Sequence, residues 1–391
     1  MKKYDFDEII DRRNTNAVKV EACLSMFGTS DVIPLWVADM DFRTPDFILE
    51  SIRKRCEHPI LGYSVPPRDY FTSIINWLKE NHAWEVKKEW LGFMPGVVPC
   101  LSFAVQQFTA ENDEIVIQPP VYFPFMHVVE KNNRKLIFNP LKEIDGKFQM
   151  DFDDLEKKIT SKTKMLILCN PHNPGGRSWE KETLLQLAEI CFKHGLLVVS
   201  DEIHADMALP GNVHVPFASV SENAANISLT YMSPSKTFNI PALQTSYFVI
   251  PNEQLRNHLK KFLDQSELNN GNIFAYLTTI AAYTEGKSWK MQMLDYVQKN
   301  IDFVIQFLKN EIPQIKPMKP EASFLIWLDC SGLEMNEEEL FHFFIQKAGL
   351  GLNQGITFGP GGEQHLRINV ACPQSILEKA MNQLKNAVKN L

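Results

Sequence analysis

The stretch Leu196-Leu197-Val198-Val199-Ser200-Asp201 indicates the fold of this chain. It is an apolar run that ends in polar residues, and it follows a helical pattern over residues 180–194 that Gly195 ends. Similar runs rich in Val, Ile or Leu occupy residues 114–118, 165–169, 227–232 and 246–250. Short apolar strands that alternate with helices predict an α/β fold, with a mostly parallel sheet covered by helices on both faces.

The C-terminal third has a different pattern. Residues 288–312 predict one long amphipathic helix, because apolar side chains recur at helical spacing until Pro313. A strand, a helix, a strand and a terminal helix are then predicted over residues 323–328, 336–348, 365–370 and 374–391. We expect a large domain of residues 46–285 and a smaller α+β domain formed by residues 1–45 and 286–391.

Charge and composition exclude several classes of protein. The 391 residues include 40 Lys and Arg against 47 Asp and Glu, a net charge of −7. Without a basic stripe there is no electrostatic reason to bind nucleic acid or an anionic membrane surface. Apolar runs are far shorter than the roughly 20 residues that a membrane helix needs. Seven cysteines without paired spacing, and no apolar signal segment, predict reduced thiols in a cytoplasmic protein.

The most informative motif is Ser233-Pro234-Ser235-Lys236-Thr237-Phe238-Asn239, directly after a predicted strand. A lysine there lies at the carboxyl end of a sheet strand, where ligands of open α/β folds bind. Apolar neighbours lower the pKa of an amine and so favour covalent chemistry at its nitrogen. By itself the motif also fits a Ser-Pro turn followed by a solvated lysine.

Two further motifs follow strands. Asp201-Glu202-Ile203-His204 offers a carboxylate that can pair with a cationic ring nitrogen, although a loop aspartate that caps a turn is the simpler interpretation. Asn170-Pro171-His172-Asn173-Pro174-Gly175-Gly176 forms a tight turn, and the Asn173 amide can donate to a phenolate-type oxygen. A plain turn explains this second motif equally well.

The remaining candidates lie at a helix start, after a strand and on a strand. Gly96-Val97-Val98 opens a helix whose free N–H groups suit a phosphate. Tyr122 follows a strand and can stack on a flat heterocycle, or it can be core. Arg367 alternates with apolar neighbours on its predicted strand, which suits carboxylate recognition and also an ordinary surface position.

In this order, the motifs resemble the pyridoxal-phosphate enzymes of the aminotransferase class I/II family (fold type I), over essentially the whole chain. Within the family, the chain is most similar to the cystathionine β-lyase-like C–S lyases. Four segments carry this narrower resemblance: Pro34-Leu35-Trp36-Val37-Ala38-Asp39-Met40-Asp41-Phe42, Gly62-Tyr63-Ser64-Val65-Pro66, Asp201-Glu202-Ile203-His204 and Ser233-Pro234-Ser235-Lys236-Thr237-Phe238-Asn239.

The resemblance implies how pyridoxal 5'-phosphate would be held. Lys236 would bind the cofactor covalently and then transfer the substrate α-proton, and Asp201 would pair with the protonated ring nitrogen. Asn173 would bond the phenolic oxygen with His204 nearby, and Tyr122 would stack on the ring. The phosphate would lie on the backbone of Val97 and Val98 and on two hydroxyls, those of Ser233 and Ser235.

The resemblance also implies a homodimer and a substrate site. Tyr63 would reach the phosphate in the partner subunit, so that the active sites are shared at the interface. Arg367 would bind the substrate α-carboxylate with Asn173, near the backbone of Val37 and Ala38. One departure concerns the phosphate, because Gln244 stands where many aminotransferases carry an arginine.

The implied activity is α,β-elimination from cystathionine or a related S-linked cysteine derivative, which gives a thiol, pyruvate and ammonia. An aminotransferase acting on an amino acid and a 2-oxo acid is the alternative, because the same anchors serve both reactions. A cofactor-bound protein that acts through partner contacts is a third interpretation, with no partner surface visible in the sequence.

Overall fold

The five predicted central strands lie in one seven-stranded sheet in the computed structural model, which describes residues 2–391. The other two strands of that sheet, Leu91–Met94 and Lys135–Phe138, were not predicted. Its strand order is β2-β10-β9-β8-β7-β3-β4, and only β10 runs antiparallel to its neighbours. The strands are β2 (Leu91–Met94), β3 (Glu114–Ile117), β4 (Lys135–Phe138), β7 (Thr163–Cys169), β8 (Leu197–Asp201), β9 (Ser228–Met232) and β10 (Ser246–Val249). The predicted α/β class with a mostly parallel sheet is confirmed.

Helices cover both faces of this sheet. Along β7, Met165 and Ile167 pack into a core on one face, while Leu166 and Leu168 pack into a core on the other. The α-helices are α1 (Val18–Glu21), α2 (Cys23–Phe27), α3 (Asp46–Cys56), α4 (Asp69–His82), α5 (Val97–Phe108), α6 (Pro124–Glu130), α7 (Phe152–Lys158), α8 (Lys181–His194), α9 (Glu222–Asn226), α10 (Glu253–Gln265), α11 (Ile273–Glu285), α12 (Lys287–Glu311), α13 (Glu337–His342) and α14 (Gln374–Lys389).

Helix α8 shows how the sequence sets these boundaries. Glu180 is its N-cap residue, and Gly195 ends the helix with φ 67°, a left-handed conformation in which glycine is not strained. Short 3₁₀ turns connect other elements at Lys88–Trp90, Ala205–Met207, Phe217–Ser219, Pro241–Leu243, Ser331–Leu333 and Gly355–Phe358. One prediction needs correction, since the helix expected over residues 336–348 is α-helical only in α13 and continues as a π-helical turn, Phe343–Lys347.

A second sheet lies in the C-terminal part and has four strands in the order β11-β12-β15-β14, all antiparallel. They are β11 (Lys316–Met318), β12 (Leu325–Asp329), β14 (Asn353–Gln354) and β15 (His365–Asn369). Two short sheets complete the chain, a hairpin of β5 (Lys142–Ile144) and β6 (Lys147–Gln149), and a parallel pair of β1 (Ile33–Pro34) and β13 (Leu350–Gly351).

The N-terminal segment packs onto the C-terminal part, through the β1–β13 pair and a bond from the Asn369 N–H to the Leu35 carbonyl (2.9 Å). One apolar core nevertheless contains residues from both sides of position 286, among them Tyr276 and Trp289. The domain division at residues 45 and 286 therefore stays a prediction.

Three further properties of residues 2–391 bear on function. None of their helices is long and apolar enough to cross a membrane. None of their His, Cys, Asp and Glu side chains form a group of three that could hold a metal ion. All seven cysteines are free thiols.

Candidate active site

A cavity of about 250 Å³ lies at the carboxyl ends of the central parallel strands. Ten of the residues predicted to form the site line this cavity: Ala38, Val97, Val98, Tyr122, Asn173, Asp201, His204, Ser233, Ser235 and Lys236. They meet because the carboxyl ends of β7, β8 and β9 lie at the same edge of the sheet. Positions far apart in sequence are thus brought into one enclosed space.

Lys236 lines the cavity, and its amine is buried by its neighbours. Its Nζ donates to the Ala38 carbonyl at 2.6 Å. Burial, together with the positive charge of Arg367, lowers the pKa of Lys236 to about 8, although Asp39 and Asp201 act in the opposite direction. An amine with this pKa is partly unprotonated near neutral pH, which nucleophilic and base chemistry both require.

Asp201 ends β8 and is 4% exposed. Its carboxylate accepts one hydrogen bond, from the Ile203 N–H at 3.1 Å. Burial raises the pKa of Asp201 to about 7, because a carboxylate with so few partners is costly to ionise away from water. A cationic ring nitrogen at this position would offset that cost, so the pyridine ring of pyridoxal phosphate fits this end of the cavity.

Asn173 and Arg367 are joined by a hydrogen bond of 3.0 Å from the guanidinium to the amide oxygen. This bond occupies the Asn173 oxygen and leaves its Nδ2 as the donor available to a ligand. Tyr122 is close by, since its N–H donates to the Asn173 carbonyl at 3.0 Å. An amide donor beside an aromatic ring suits a flat ligand with a phenolate oxygen.

His204 is buried, and its Nδ1 has no hydrogen-bond partner within residues 2–391. Burial lowers the pKa of His204 to about 3, with Lys236 and Arg367 acting in the same direction. The imidazole is therefore neutral at physiological pH. It adds no positive charge to the cavity that already contains Lys236.

One end of the cavity suits a phosphate group. Gly96 has φ 143° and precedes the first residues of α5, whose N–H groups are free of intrahelical partners. The Ser233 hydroxyl bonds to the Thr245 carbonyl at 2.6 Å and contacts the Ser235 hydroxyl at 2.7 Å. Gln244 also lines the cavity, and no arginine does so within the described part of the chain.

Arg367 is a buried cation that forms no salt bridge with residues 2–391. Besides its bond to Asn173, it donates to the Trp36 carbonyl (2.9 Å) and to the Asn353 side chain (2.6 Å), and its Nε–H has no partner. The guanidinium carbon lies 5.0 Å from the centre of the Phe358 ring. Burial lowers the pKa of Arg367 to about 10, because a charged guanidinium is costly to hold away from water. An anion such as a carboxylate, bound beside it, would offset this cost.

Three predicted residues lie outside the cavity lining, namely Val37, Tyr63 and Arg367, of which Arg367 reaches it through Asn173. Val37 is absent from the lining, and its carbonyl accepts a hydrogen bond from the Asn369 side chain at 2.7 Å. Tyr63 is fully exposed, beside the exposed side chains of Leu61 and Val65. A single chain therefore does not bring Tyr63 to its own site, and its predicted role depends on a partner subunit.

Sequence reasoning missed several contacts in the site. Asn353 and Phe358 both contact Arg367, yet no motif marks them. The signal is the strand register, because Asn353 is paired directly with Arg367 between β14 and β15. Thr245 was also missed, and it lies in the cavity wall one residue after Gln244.

Comparisons with known proteins agree with this geometry. The family described as aminotransferase class I and II matches residues 30–384, and this chain belongs to that family. The chain is 44% identical to cystathionine beta-lyase PatB of Bacillus subtilis (strain 168) over 98% of this chain and all of that protein. The resemblance to the cystathionine β-lyase-like branch is confirmed.

Solved structures give the same result. Cystalysin from Treponema denticola, which contains pyridoxal 5'-phosphate, superposes with a TM-score of 0.96 at 34% identity and covers 100% of both chains. The pyridoxal-phosphate-bound C–S lyase from Staphylococcus hominis superposes with a TM-score of 0.93 at 36% identity, over 99% of this chain and 98% of that one. The fold is therefore that of the fold type I pyridoxal-phosphate enzymes.

Proposed function

We propose that this protein is a pyridoxal-phosphate-dependent carbon–sulfur lyase. It catalyses α,β-elimination of cystathionine or a related S-linked cysteine derivative, with uptake of water, to a thiol, pyruvate and ammonia. The observation that carries the proposal is the enclosure of Lys236, Asp201 and Asn173 in one cavity beside Arg367. The whole-length similarity to cystathionine beta-lyase PatB favours elimination over transamination.

The cavity accounts for each part of the cofactor. Asp201 would hold the protonated ring nitrogen, Asn173 Nδ2 the phenolic oxygen, and Tyr122 the face of the ring. The helix start at Val97 and Val98, with the hydroxyls of Ser233 and Ser235, would hold the phosphate, and His204 would line the cavity beside the ring. Bound pyridoxal phosphate supplies an electron sink for negative charge that develops at the substrate α-carbon.

Lys236 and Arg367 then have complementary tasks. Arg367 binds the α-carboxylate with Asn173, near the backbone of Val37 and Ala38, and so fixes the orientation of the substrate. Lys236 Nζ takes the α-proton, which its lowered pKa permits near neutral pH. Because Arg367 and Lys236 are both held in place, binding of the carboxylate at Arg367 positions the substrate α-carbon for proton removal by Lys236.

The test is direct. Purified enzyme loaded with pyridoxal phosphate should form pyruvate and homocysteine in equal amounts from cystathionine, without any added 2-oxo acid. The Lys236→Ala variant is the control and should form neither product. Absence of pyruvate, together with stoichiometric exchange of amino groups between an amino acid and a 2-oxo acid, would instead identify an aminotransferase.

We also propose that the enzyme is a homodimer with shared sites, in which Tyr63 contacts the phosphate in the partner subunit. The exposed apolar side chains Leu61, Tyr63 and Val65 support this, since a second copy would bury them. Mixing Lys236→Ala with Tyr63→Phe subunits should create some wild-type sites and restore activity. If subunit exchange is shown and activity is not restored, the sites are not shared.

Two further expectations accompany the proposal. The large domain would comprise residues 46–285 and the small domain residues 1–45 and 286–391, with the cavity between Lys236 and Arg367 at their junction. The free cysteines support a reducing compartment such as the cytoplasm. A fluorescent fusion and thiol titration after cell fractionation would test the location.

A further inference from the structure

A segment of irregular backbone borders the cavity through Ala38. Residues 36–42, here called the strap, connect β1 to the start of α3 without forming a helix or a strand. Backbone carbonyls in such a segment need partners from elsewhere when they are buried. In the strap these partners are side chains: Trp36 O accepts from Arg367 (2.9 Å), Val37 O and Asp39 O from Asn369 (2.7 and 2.6 Å), Ala38 O from Lys236 (2.6 Å), and Met40 O and Phe42 O from Asn239 (2.9 Å each).

Two asparagines therefore hold the strap, Asn369 on both sides of Ala38 and Asn239 further along at Met40 and Phe42. Asn369 lies two residues after Arg367 on β15 and is completely buried. Its Nδ2 binds the carbonyls before and after Ala38, while its Oδ1 is fixed by the Ala371 N–H at 2.8 Å. This geometry turns the Ala38 carbonyl, which lies between the two bound carbonyls, toward Lys236.

Asn239 holds the other end of the strap and lies three residues after Lys236. It binds Met40 on both sides, since its Oδ1 accepts from the Met40 N–H at 3.0 Å and its Nδ2 donates to the Met40 carbonyl. Its backbone is left-handed, with φ 55°, which aims the side chain at the strap. Asparagine tolerates this conformation better than most residues.

Charged side chains fix the outer side of the strap. Arg12 bridges Asp39 and Asp41, with N–O distances of 2.6 and 2.7 Å, and the buried Lys19 lies 2.7 Å from Asp41. The strap is thus held from both sides. Its inner carbonyl at Ala38 is bound to Lys236 itself.

We propose that Asn239 and Asn369 are positioning residues for the reaction. They hold the strap so that the Ala38 carbonyl orients the Lys236 amine whenever that amine is not bound to cofactor. Because Asn369 and Arg367 share one strand, the same element fixes the substrate carboxylate and the group that takes the α-proton. The part of this inference that concerns turnover rests on the proposed function, whereas the part that concerns the free amine does not.

The first experiment compares Asn369→Leu with Asn300→Leu. Asn300 is a matched control because it is also buried and also donates to two carbonyls, those of Val370 and Cys372 (2.8 Å each), but donates no hydrogen bond to the strap. In enzyme loaded with pyridoxal phosphate, Asn369→Leu should lower kcat at least about 10-fold relative to Asn300→Leu, with KM changed less than about threefold.

A second measurement reads the Lys236 amine directly. The full chain freed of its cofactor is treated with trace acetic anhydride over a range of pH, and acetylation of Lys236 is quantified by mass spectrometry. A hydrogen bond to Ala38 stabilises the ammonium form, so its loss should lower the pKa of this amine by about one pH unit. The charged groups that act on this amine, Arg367, Asp39 and Asp201, are unchanged by the variants.

Asn239→Gly provides a test from the other end of the strap. Glycine keeps the left-handed backbone while it removes the amide, and Asn133→Gly, also at positive φ (58°), is the control. Asn239→Gly should shift the acetylation profile in the same direction as Asn369→Leu, and Asn133→Gly should not shift it.

The outcomes are distinct. If both strap variants fold and bind cofactor but keep the wild-type acetylation profile and kcat, the inference is wrong. Equal losses in the controls would also overturn it, since they would show a general effect on stability. A shifted acetylation profile in an enzyme that forms no pyruvate would support the positioning of Lys236 while refuting the proposed lyase activity.

Discussion

The substitution Asp201→Asn should affect the cofactor-free protein and the loaded enzyme in opposite directions. Asparagine has nearly the same shape as aspartate and can keep the bond from the Ile203 N–H (3.1 Å). What it removes is a buried negative charge. In the loaded enzyme that charge would pair with the ring nitrogen, so its loss should lower elimination by at least about 100-fold.

The effect on stability follows from the raised pKa. Asp201 has a pKa of about 7 in the folded protein against 3.8 for an ordinary aspartate. Between these values the folded state retains a proton that the unfolded state has lost, so wild-type stability falls as the pH rises from about 4 to 7. The full difference corresponds to about 4 kcal/mol, and Asp201→Asn should recover a large part of it above pH 7.

Urea unfolding of the cofactor-free chains at pH 4 to 8 measures this difference. The gain in unfolding free energy of Asp201→Asn over wild type should be near zero at pH 4 and reach a plateau above pH 7. Asp206→Asn is the matched control. Burial alone would raise the pKa of Asp206, but hydrogen bonds from His82 and Trp77 (2.8 Å each) and the charge of Lys290 lower it instead.

Asp206 therefore stabilises the folded state above the pKa of an unfolded aspartate, and this contribution is lost as the pH falls. Asp206→Asn should destabilise the chain most at pH 8, opposite in sign to Asp201→Asn. A pH-independent effect of Asp201→Asn, or a loss of stability at pH 8, would refute the reasoning that burial rather than a protein partner governs Asp201.

The remaining predictions concern the lysine, the arginine and two glycines. Lys236→Ala should abolish the visible absorption band of the covalently held cofactor and lower turnover at least about 1000-fold, as spectra and pyruvate release would show; a retained band would disprove the attachment. Arg367→Lys keeps the charge but loses the planar fork, so KM should rise about 10- to 100-fold in steady-state kinetics, and an unchanged KM would place the carboxylate elsewhere. Gly176→Ala should lower the unfolding free energy by at least about 2 kcal/mol, because φ is 64° and an added Cβ would lie 2.3 Å from Pro320. Gly195→Ala, with φ 67° and nothing within 4 Å, should cost about 1 kcal/mol in the same urea titration, and equal costs would exclude the steric argument.

The sequence by itself predicted five of the seven strands of the central sheet. Each of the five strand predictions lies within two residues of an observed strand, because a strand buried on both faces must be a continuous apolar run. Gly195 ends α8 as predicted, because a left-handed residue is a local requirement. The order of the motifs also indicated the family, and four sequence segments indicated the branch. The carboxyl ends of parallel strands explain why several of those motifs meet.

Other parts of the site could not be predicted from local patterns. The bond from Lys236 to Ala38 spans 198 positions of sequence, and the bond from Arg367 to Trp36 spans 331. Neither hydrogen bond produces a periodic pattern in the sequence, because each depends on where an irregular segment lies relative to distant parts of the fold. The pairing of Asn353 with Arg367 likewise depends on strand register, which no side-chain pattern in a two-residue strand specifies.

The sequence thus determined which chemical groups this protein carries and at which sheet edge most of them lie. Only the tertiary structure decided their state. Burial sets the pKa of Lys236 to about 8 and that of Asp201 to about 7, and it makes Arg367 a cation without a protein counter-ion. Desolvation is a property of the space around a side chain, and that space is created by residues from distant parts of the chain.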